Sequence, residues 1–468
     1  MEAVMETDFL YRQVADPIEQ QILTGILPTG TKLWSLRTLS REYGISQNTA
    51  LNVYYYLEAK NLIESRPQSG YYVKYSPIKK VQQASLPSPR AVLADDSYWV
   101  HSVYQNIGQD HPLAMAHPGE ALLPIAKLNK ALIQASRSLQ GSGVLYEKPE
   151  GNAELRKQVA RWSFPLREDE IITTHGCLNA ISLCLLSLTQ PGDTIIVESP
   201  VSFGMLQVAK SLSLKVIELP THPEYGVSLV ALERNLKKRR IAACLFIPTF
   251  SNPLGFCMSD EDKWKLVQLC EKYQVPLIEN DINADVYFGK KRPKSCKSFD
   301  KSGIVLWCGS VSKTLAPGYR VGWVAPGRFY HEVLKTKIQH QISSTSITQE
   351  VIAHYLRTGR YEHHLRKLRV TLQAQLLHFQ KAIADYFPRS TKVTSPQGGF
   401  TIWLQLHKNL NTLEIFEQCK KYDVSFAPGA LFSLQHLYFN CLRLNFSLGW
   451  NSEVEEKLER LGEILKKA

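Results

Sequence analysis

The stretch Gly309-Ser310-Val311-Ser312-Lys313-Thr314-Leu315-Ala316-Pro317-Gly318-Tyr319-Arg320-Val321-Gly322-Trp323 decides how the rest of the chain reads. Two hydroxyls, Ser310 and Ser312, precede an amine at Lys313, and a guanidinium, Arg320, follows seven residues later. An amine bonds an aldehyde, whereas hydroxyls and a guanidinium hold a phosphate dianion. The stretch therefore predicts a site for a cofactor that carries both groups. Outward from it, from about His111 onward, apolar strand-like runs alternate with helical stretches: Thr194 to Val197, Ala242 to Ile247, Pro276 to Glu279 and Ile304 to Trp307. That alternation predicts an α/β domain with a mainly parallel sheet, whose functional groups gather at the carboxyl ends of the strands.

Several of these segments end in suitable groups. Thr174-His175-Gly176-Cys177-Leu178 opens a long helix, whose first N–H groups suit a phosphate. Asn252 lies on a turn set by Pro253 and Gly255, Glu279-Asn280-Asp281 closes an apolar strand, and Arg443 sits in a strand-like run near the C-terminus, suited to a carboxylate. Each piece alone is weak, since a Ser-x-Ser-Lys arises by chance, Asn252 can brace a turn and Arg443 can be an ion-paired residue.

Together and in this order, these segments resemble the fold-type I pyridoxal 5'-phosphate (PLP) enzymes of the aminotransferase class, over about 350 residues. The resemblance implies that Lys313 forms the Schiff base with PLP and that Ser310, Ser312 and Arg320, with the backbone at Gly176 and Cys177, hold its phosphate. It further implies that Asn252 meets the ring 3'-oxygen and that Arg443 takes the carboxylate of an amino-acid ligand. Tyr146, in Tyr146-Glu147-Lys148-Pro149-Glu150-Gly151, matches a tyrosine that reaches the phosphate of a neighbouring subunit, so a homodimer is implied. Three departures cluster at the cofactor ring. Ser202 stands where the family has a stacking aromatic, with Phe203 next to it, and Asn280 and Asn283 stand where it has an acid and a tyrosine. Either Asn280 or a displaced Asp281 then faces the pyridine nitrogen, although a one-residue slip on a strand turns a side chain to the other face. Groups that hold the cofactor are present, while groups that tune its chemistry are eroded, which predicts PLP binding with little transamination.

The N-terminal part reads differently. A helix is expected from about Phe9 to Thr24, stopping at Gly25 and bent or shifted by Pro17. A second follows the cap Ser35 to Gly44, and a third follows Ser46, from Gln47 to Lys60, with Ala50, Val53, Tyr54 and Leu57 inward. Short helix, glycine turn and longer helix are the spacing of a helix-turn-helix, and an alternating hairpin from Leu62 to Val73 makes a wing. The serial pattern Leu33-Trp34-Ser35-Leu36-Arg37, Tyr43-Gly44-Ile45-Ser46-Gln47-Asn48-Thr49, Leu57-Glu58-Ala59-Lys60-Asn61-Leu62-Ile63-Glu64 and Pro67-Gln68-Ser69-Gly70 resembles the GntR-type winged helix, with Trp34 in place of the usual proline. That resemblance implies DNA contacts at Ser35, Arg37, Ser46, Gln47, Asn48, Thr49 and the wing near Gly70. A small helical protein-interaction domain is the plainer alternative.

At 468 residues the chain predicts two or three domains, and its 44% hydrophobic and 21% charged content is that of a soluble globular protein. No segment approaches the roughly 18–20 apolar residues of a membrane span, and the N-terminus lacks the build of a signal peptide. Nine scattered cysteines without a C-x-x-C pair, and the lack of H-E-x-x-H, argue for free thiols, a cytoplasmic setting and no metal site. The formal net charge is +12, yet residues 1–75 hold seven basic and eight acidic side chains, so the excess lies elsewhere. The expected organisation is a DNA-binding domain over 8–75, a Pro- and Lys-containing linker over 76–110 and an aminotransferase-like domain over 111–468, its large part about 150–330 and its small part about 331–468. A winged helix joined to such a domain resembles the MocR-type subgroup of GntR regulators. The expected function is a PLP-binding regulator that binds a double-stranded operator as a homodimer and senses an amino compound, or PLP itself, through an aldimine at Lys313. The rivals are an active aminotransferase carrying a DNA-binding domain and a PLP-free dimeric DNA-binding protein.

Overall fold

The computed structural model describes residues 2–23, 27, 29–75, 79–81, 83, 89–93, 112–139, 145–162, 166–435 and 437–468. The chain divides into two compact units, Met1–Lys79 with Gln373–Thr391 and Trp450–Ala468, and Lys80–Leu372 with Lys392–Gly449. The C-terminal segment expected as one small part is thus shared between them. Most of the expected linker lies outside the described residues, but Ala91–Leu93 within it is a strand. No described helix is long and apolar enough to cross a membrane.

In the first unit, α1 (Glu2–Leu23) runs through Pro17 and starts earlier than the expected Phe9, while Gly25, the expected stop, lies outside the described residues. Helix α2 (Leu36–Tyr43) is capped by Ser35 Oγ, which accepts from the Thr38 amide, and ends on Gly44 at φ 62°, the left-handed turn that glycine allows without strain. Helix α3 (Gln47–Ala59) is capped in the same way by Ser46. Strands β1 (Ile63–Arg66) and β2 (Gly70–Val73) pair antiparallel, Ile63 opposite Val73 and Arg66 opposite Gly70. Val14, Ile18, Leu39, Val53, Tyr54, Leu57 and Val73 form one buried core beneath these elements.

The second unit is built on a nine-stranded sheet among the described residues. Its strands are β3 (Ala91–Leu93), β4 (Ile172–Thr174), β5 (Thr194–Ser199), β6 (Lys215–His222), β7 (Ala243–Phe246), β8 (Leu277–Asn280), β9 (Val305–Ser310) and β10 (Gly322–Ala325), with Gly226–Val227 alongside β6. The spatial order is β3-β6-β5-β7-β8-β9-β10-β4. Five neighbours, β6, β5, β7, β8 and β9, are parallel, so their carboxyl ends share one edge. Helix α4 (Cys177–Leu188) lays Ala180, Ile181, Cys184 and Leu185 on a face that includes Val197, Leu245, Ile278 and Cys308. Strand side chains alternate, so Asn280 shares the α4 face with Ile278, and Glu279 and Asp281 point the other way. A smaller antiparallel sheet joins β11 (Lys392–Val393), β12 (Thr401–Gln405), β13 (Ala427–Pro428) and β14 (Cys441–Asn445). Arg443 lies on its inner strand, opposite both Trp403 and Ala427.

Candidate functional site

The polar groups at the strand ends surround a cavity of about 390 Å³. At one end β9 delivers Ser310 and then Ser312, whose amide donates to Ser310 Oγ at 3.2 Å. Arg320 donates to Ser312 Oγ at 3.5 Å and to the His175 carbonyl at 3.0 Å. Helix α4 begins beside them on Gly176, with no side chain capping its first N–H groups. Gly176 has φ +88°, and a Cβ there would lie 2.6 Å from Arg320 Nη2, so only glycine lets the guanidinium lie against this turn. Open helix N–H groups, two hydroxyls and a guanidinium together form an anion cradle.

Lys313 is half-buried next to that cradle, and its amine donates to the Ala116 carbonyl. Burial pulls its pKa down to about 8, with the positive charge of Arg443 adding to the effect. At the opposite end Arg443, 1% exposed, donates to Asn252 Oδ1 at 3.0 Å and to the Ala114 carbonyl, between the rings of Phe203 and Phe432 at 5.8 and 5.2 Å. Its Nε is buried without a partner, and burial pulls its pKa down to about 9. Three cations, Lys313, Arg320 and Arg443, line the cavity, and no Asp or Glu is among its described lining residues. Arg443 is buried, Lys313 half-buried and Arg320 exposed, and a buried or half-buried positive charge with no carboxylate beside it is costly unless an anion joins it.

Asn280 forms part of the wall between two sulfurs, its Oδ1 accepting from Cys177 Sγ at 3.3 Å and its Nδ2 lying 3.7 Å from Met205 Sδ. Asn283 also lines the cavity, its Nδ2 donating to the Phe250 carbonyl at 2.8 Å. Asp281 does not reach the cavity, which corrects its inclusion among the expected cofactor-binding residues. Its Oδ2 accepts from Arg292 at 2.7 Å and from Trp307 Nε1 at 2.8 Å on the other side of the sheet. The physical reason is the alternation of β8, which no slip disturbs. Arg292 also holds Asp285 at 2.8 Å, fixing Asp281 from behind. Tyr146 stands apart, 82% exposed.

Four hydrogen bonds escape a reading of side chains. The segment Leu113 to His117 offers backbone carbonyls, Ala114 to Arg443, Ala116 to Lys313 and His117 to Asn445 and Ser447. Carbonyl acceptors have no residue signature, so the sequence gives no sign of them.

In the winged helix, Arg37, Gln47, Asn48 and Gly70 are exposed, and so are the capping residues Ser35 and Ser46. Thr49 is 6% exposed, with Oγ1 2.8 Å from Ser46 Oγ and its amide donating to the same oxygen. Its inclusion among expected DNA contacts is corrected: it closes the helix start, and its side chain is spent inside the fold. The sequence had not singled out Asn52 and Tyr55, which continue the exposed stripe one and two turns on from Asn48.

Fold and site together define a winged-helix DNA-binding module joined to a fold-type I aminotransferase domain. Residues 117–461 match the family model for aminotransferase class I and II, and residues 10–73 match that for bacterial regulatory proteins of the gntR family. The chain is 34% identical over 462 residues to the Escherichia coli HTH-type transcriptional regulator YdcR, covering 97% of this chain and 99% of that one. It is 34% identical over 480 residues to the Escherichia coli HTH-type regulator YjiR, covering 98% and 99%. Among solved structures it matches the Pyrococcus horikoshii kynurenine aminotransferase, described in complex with PMP, at 25% identity and a TM-score of 0.74, over 80% of this chain and 95% of that one. The chain belongs to the family of gntR-type regulators that carry a class I and II aminotransferase domain, the MocR type.

Proposed function

We propose that this protein is a PLP-dependent transcriptional regulator that binds operator DNA in the cytoplasm and responds to an amino compound bearing a carboxylate. The observation that carries the reading is the cavity wall itself, lined by three cations and Asn280 and by no carboxylate among the described residues; on this reading Asn280 stands where an acid would face the pyridine nitrogen. One phosphate dianion at the α4 cradle and one ligand carboxylate at Arg443 would neutralise those charges. Ser310, Ser312, Arg320 and the N–H groups after Gly176 would hold the phosphate, Lys313 would bond the aldehyde, and Asn252 would face the 3'-oxygen. When bound, PLP supplies an aldehyde that exchanges amines and a ring whose electron-withdrawing power depends on a protonated pyridine nitrogen. Asn280 hydrogen-bonds but brings no negative charge, so it does not stabilise that proton. Amine exchange at Lys313 is retained, and transamination is slow. Tyr146, exposed on the single chain, would complete the phosphate site of a second subunit.

Sensing requires that the ligand favour one arrangement over another. In this fold the carbonyls of Ala114 and Ala116 hold Arg443 and Lys313, the two groups that the ligand carboxylate and the cofactor need. Ligand binding competes with both contacts and thereby displaces the segment Leu113 to His117. The test is operator affinity of the PLP-loaded protein across a panel of L-amino acids. A subset is expected to change affinity without appreciable turnover to 2-oxo acids, and rapid turnover of those amino acids would overturn the regulatory reading.

Two outcomes follow from single groups. Arg443→Gln removes a charge-assisted pair to the ligand carboxylate, so an effective amino acid is expected to bind about 10- to 100-fold more weakly, read by spectral titration, with PLP capture retained. Only the neutral amine of Lys313 attacks an aldehyde. The initial rate of PLP capture is therefore expected to rise about tenfold per pH unit up to roughly pH 8 and flatten above it, as stopped-flow absorbance would record.

A further inference from the structure

The recognition helix of the winged module has an unusual surface chemistry for a DNA reader. Helix α3, QNTALNVYYYLEA, contains no Lys or Arg, and its single acid, Glu58, accepts from the Ser65 amide at 2.9 Å. Thr49, Ala50, Val53, Tyr54 and Leu57 are buried, which pins the opposite face outward. That face carries Gln47, Asn48, Asn52 and Tyr55, all exposed, with Leu51 half-buried between them. Asn48, Asn52 and Tyr55 follow one another at spacings of four and three, one stripe along the helix. Among the described residues the carboxamides of Gln47, Asn48 and Asn52 have no hydrogen-bond partner, so their donors and acceptors are open to a ligand. The nearby cations lie off this helix. Lys32 and Arg66 flank the Tyr72 ring of the wing at 5.8 and 4.4 Å, and Arg37 is in the first turn of α2.

In the major groove, guanine presents two acceptors and is read above all by Arg or Lys. Adenine presents a donor beside an acceptor, the pattern that a carboxamide matches, and thymine presents a methyl group that takes apolar contacts. We propose that the recognition helix is a reader of A·T base pairs, with Gln47, Asn48 and Asn52 on adenine edges and Leu51 and Tyr55 against thymine methyl groups. Lys32, Arg37 and Arg66 would then anchor phosphates, which position the helix and carry no sequence information. The inference rests on the DNA-binding reading and adds to it the chemistry of the operator. Guanine is disfavoured at the positions under the helix because the helix carries no Arg or Lys, the side chains that best match its two acceptors.

The test is selection from random-sequence duplexes with the full-length, PLP-loaded protein, beside Asn48→Arg and Asn52→Arg. These residues are exposed and outside the core, so the variants are expected to fold as the parent does. The parent is expected to enrich half-sites whose helix-facing positions are A·T. Each Arg variant is expected to switch one position per half-site to G·C, with about a tenfold to hundredfold change in preference there. A parent motif with G·C at those positions, or a motif that neither variant alters, would overturn the inference while DNA binding stands. Enrichment of no sequence by the parent would overturn the DNA-binding reading itself.

Discussion

Asn280→Asp is expected to raise the single-turnover rate of transamination with the amino acids that bind, by about 100-fold, equivalent to ~2.7 kcal/mol of barrier. Asn280 shares the α4 face of β8 and lines the cavity, while Asp281 is locked behind the sheet by Arg292 and Trp307. A carboxylate at position 280 keeps the Ile282 amide contact at 3.3 Å that Asn280 Oδ1 now accepts, and adds the negative charge that a protonated pyridine nitrogen requires. Without cofactor, that carboxylate would be buried in contact with the Cys177 and Met205 sulfurs and would have only the Ile282 amide as a strong donor, which is unfavourable. The variant should therefore melt lower than the parent without PLP and gain more stability on PLP addition. An equal PLP-induced shift in parent and variant would show that position 280 does not face the ring.

The second large effect concerns Lys313. Lys313→Ala is expected to abolish the visible absorption band of the PLP-loaded protein and to remove any response of operator affinity to amino acids. The same substitution should not weaken the fold. A group whose folded pKa falls from 10.5 to about 8 lowers stability throughout the range below pH 8, and that cost shrinks as the pH rises from 8 to 10.5. At neutral pH the charged lysine thus costs up to ~3 kcal/mol, relieved by its removal and offset in part by lost packing. The expected melting temperature of Lys313→Ala without PLP is therefore at or above that of the parent at pH 7, with the gap closing towards pH 10. A sharp drop would mark Lys313 as a structural residue. Function that strains stability in this way is common at binding sites.

Much of this was legible because the decisive signals are local. Ser310, Ser312, Lys313 and Arg320 lie within one strand-loop-strand unit, and the winged helix declares itself through caps and turns at Ser35, Gly44, Ser46 and Gly70. The contest between Asn280 and Asp281 was not decidable from the residues, since either alternation of β8 satisfies the same apolar run. Only pairing with β7 and β9, set by contacts distant in sequence, fixes which face meets α4. Thr49 was misread for a related reason. A Ser followed three residues later by Thr at a helix start serves a cap and a DNA contact equally well, and burial alone separates them. The carbonyls of Ala114 and Ala116 were invisible because any residue supplies a carbonyl. Likewise, the assignment of Gln373–Thr391 and Trp450–Ala468 to the first unit depends on long-range packing that no local pattern encodes.

Borohydride reduction of the PLP-loaded protein followed by peptide mass mapping tests the proposed bond between Lys313 and the PLP aldehyde most directly. Reduction makes the carbon–nitrogen bond permanent, so the modified lysine is read without reference to activity. A phosphopyridoxyl group is expected on the peptide that contains Lys313 and on no other. Modification at a different amine, such as the buried Lys263 or Lys337, or at none, would contradict that bond.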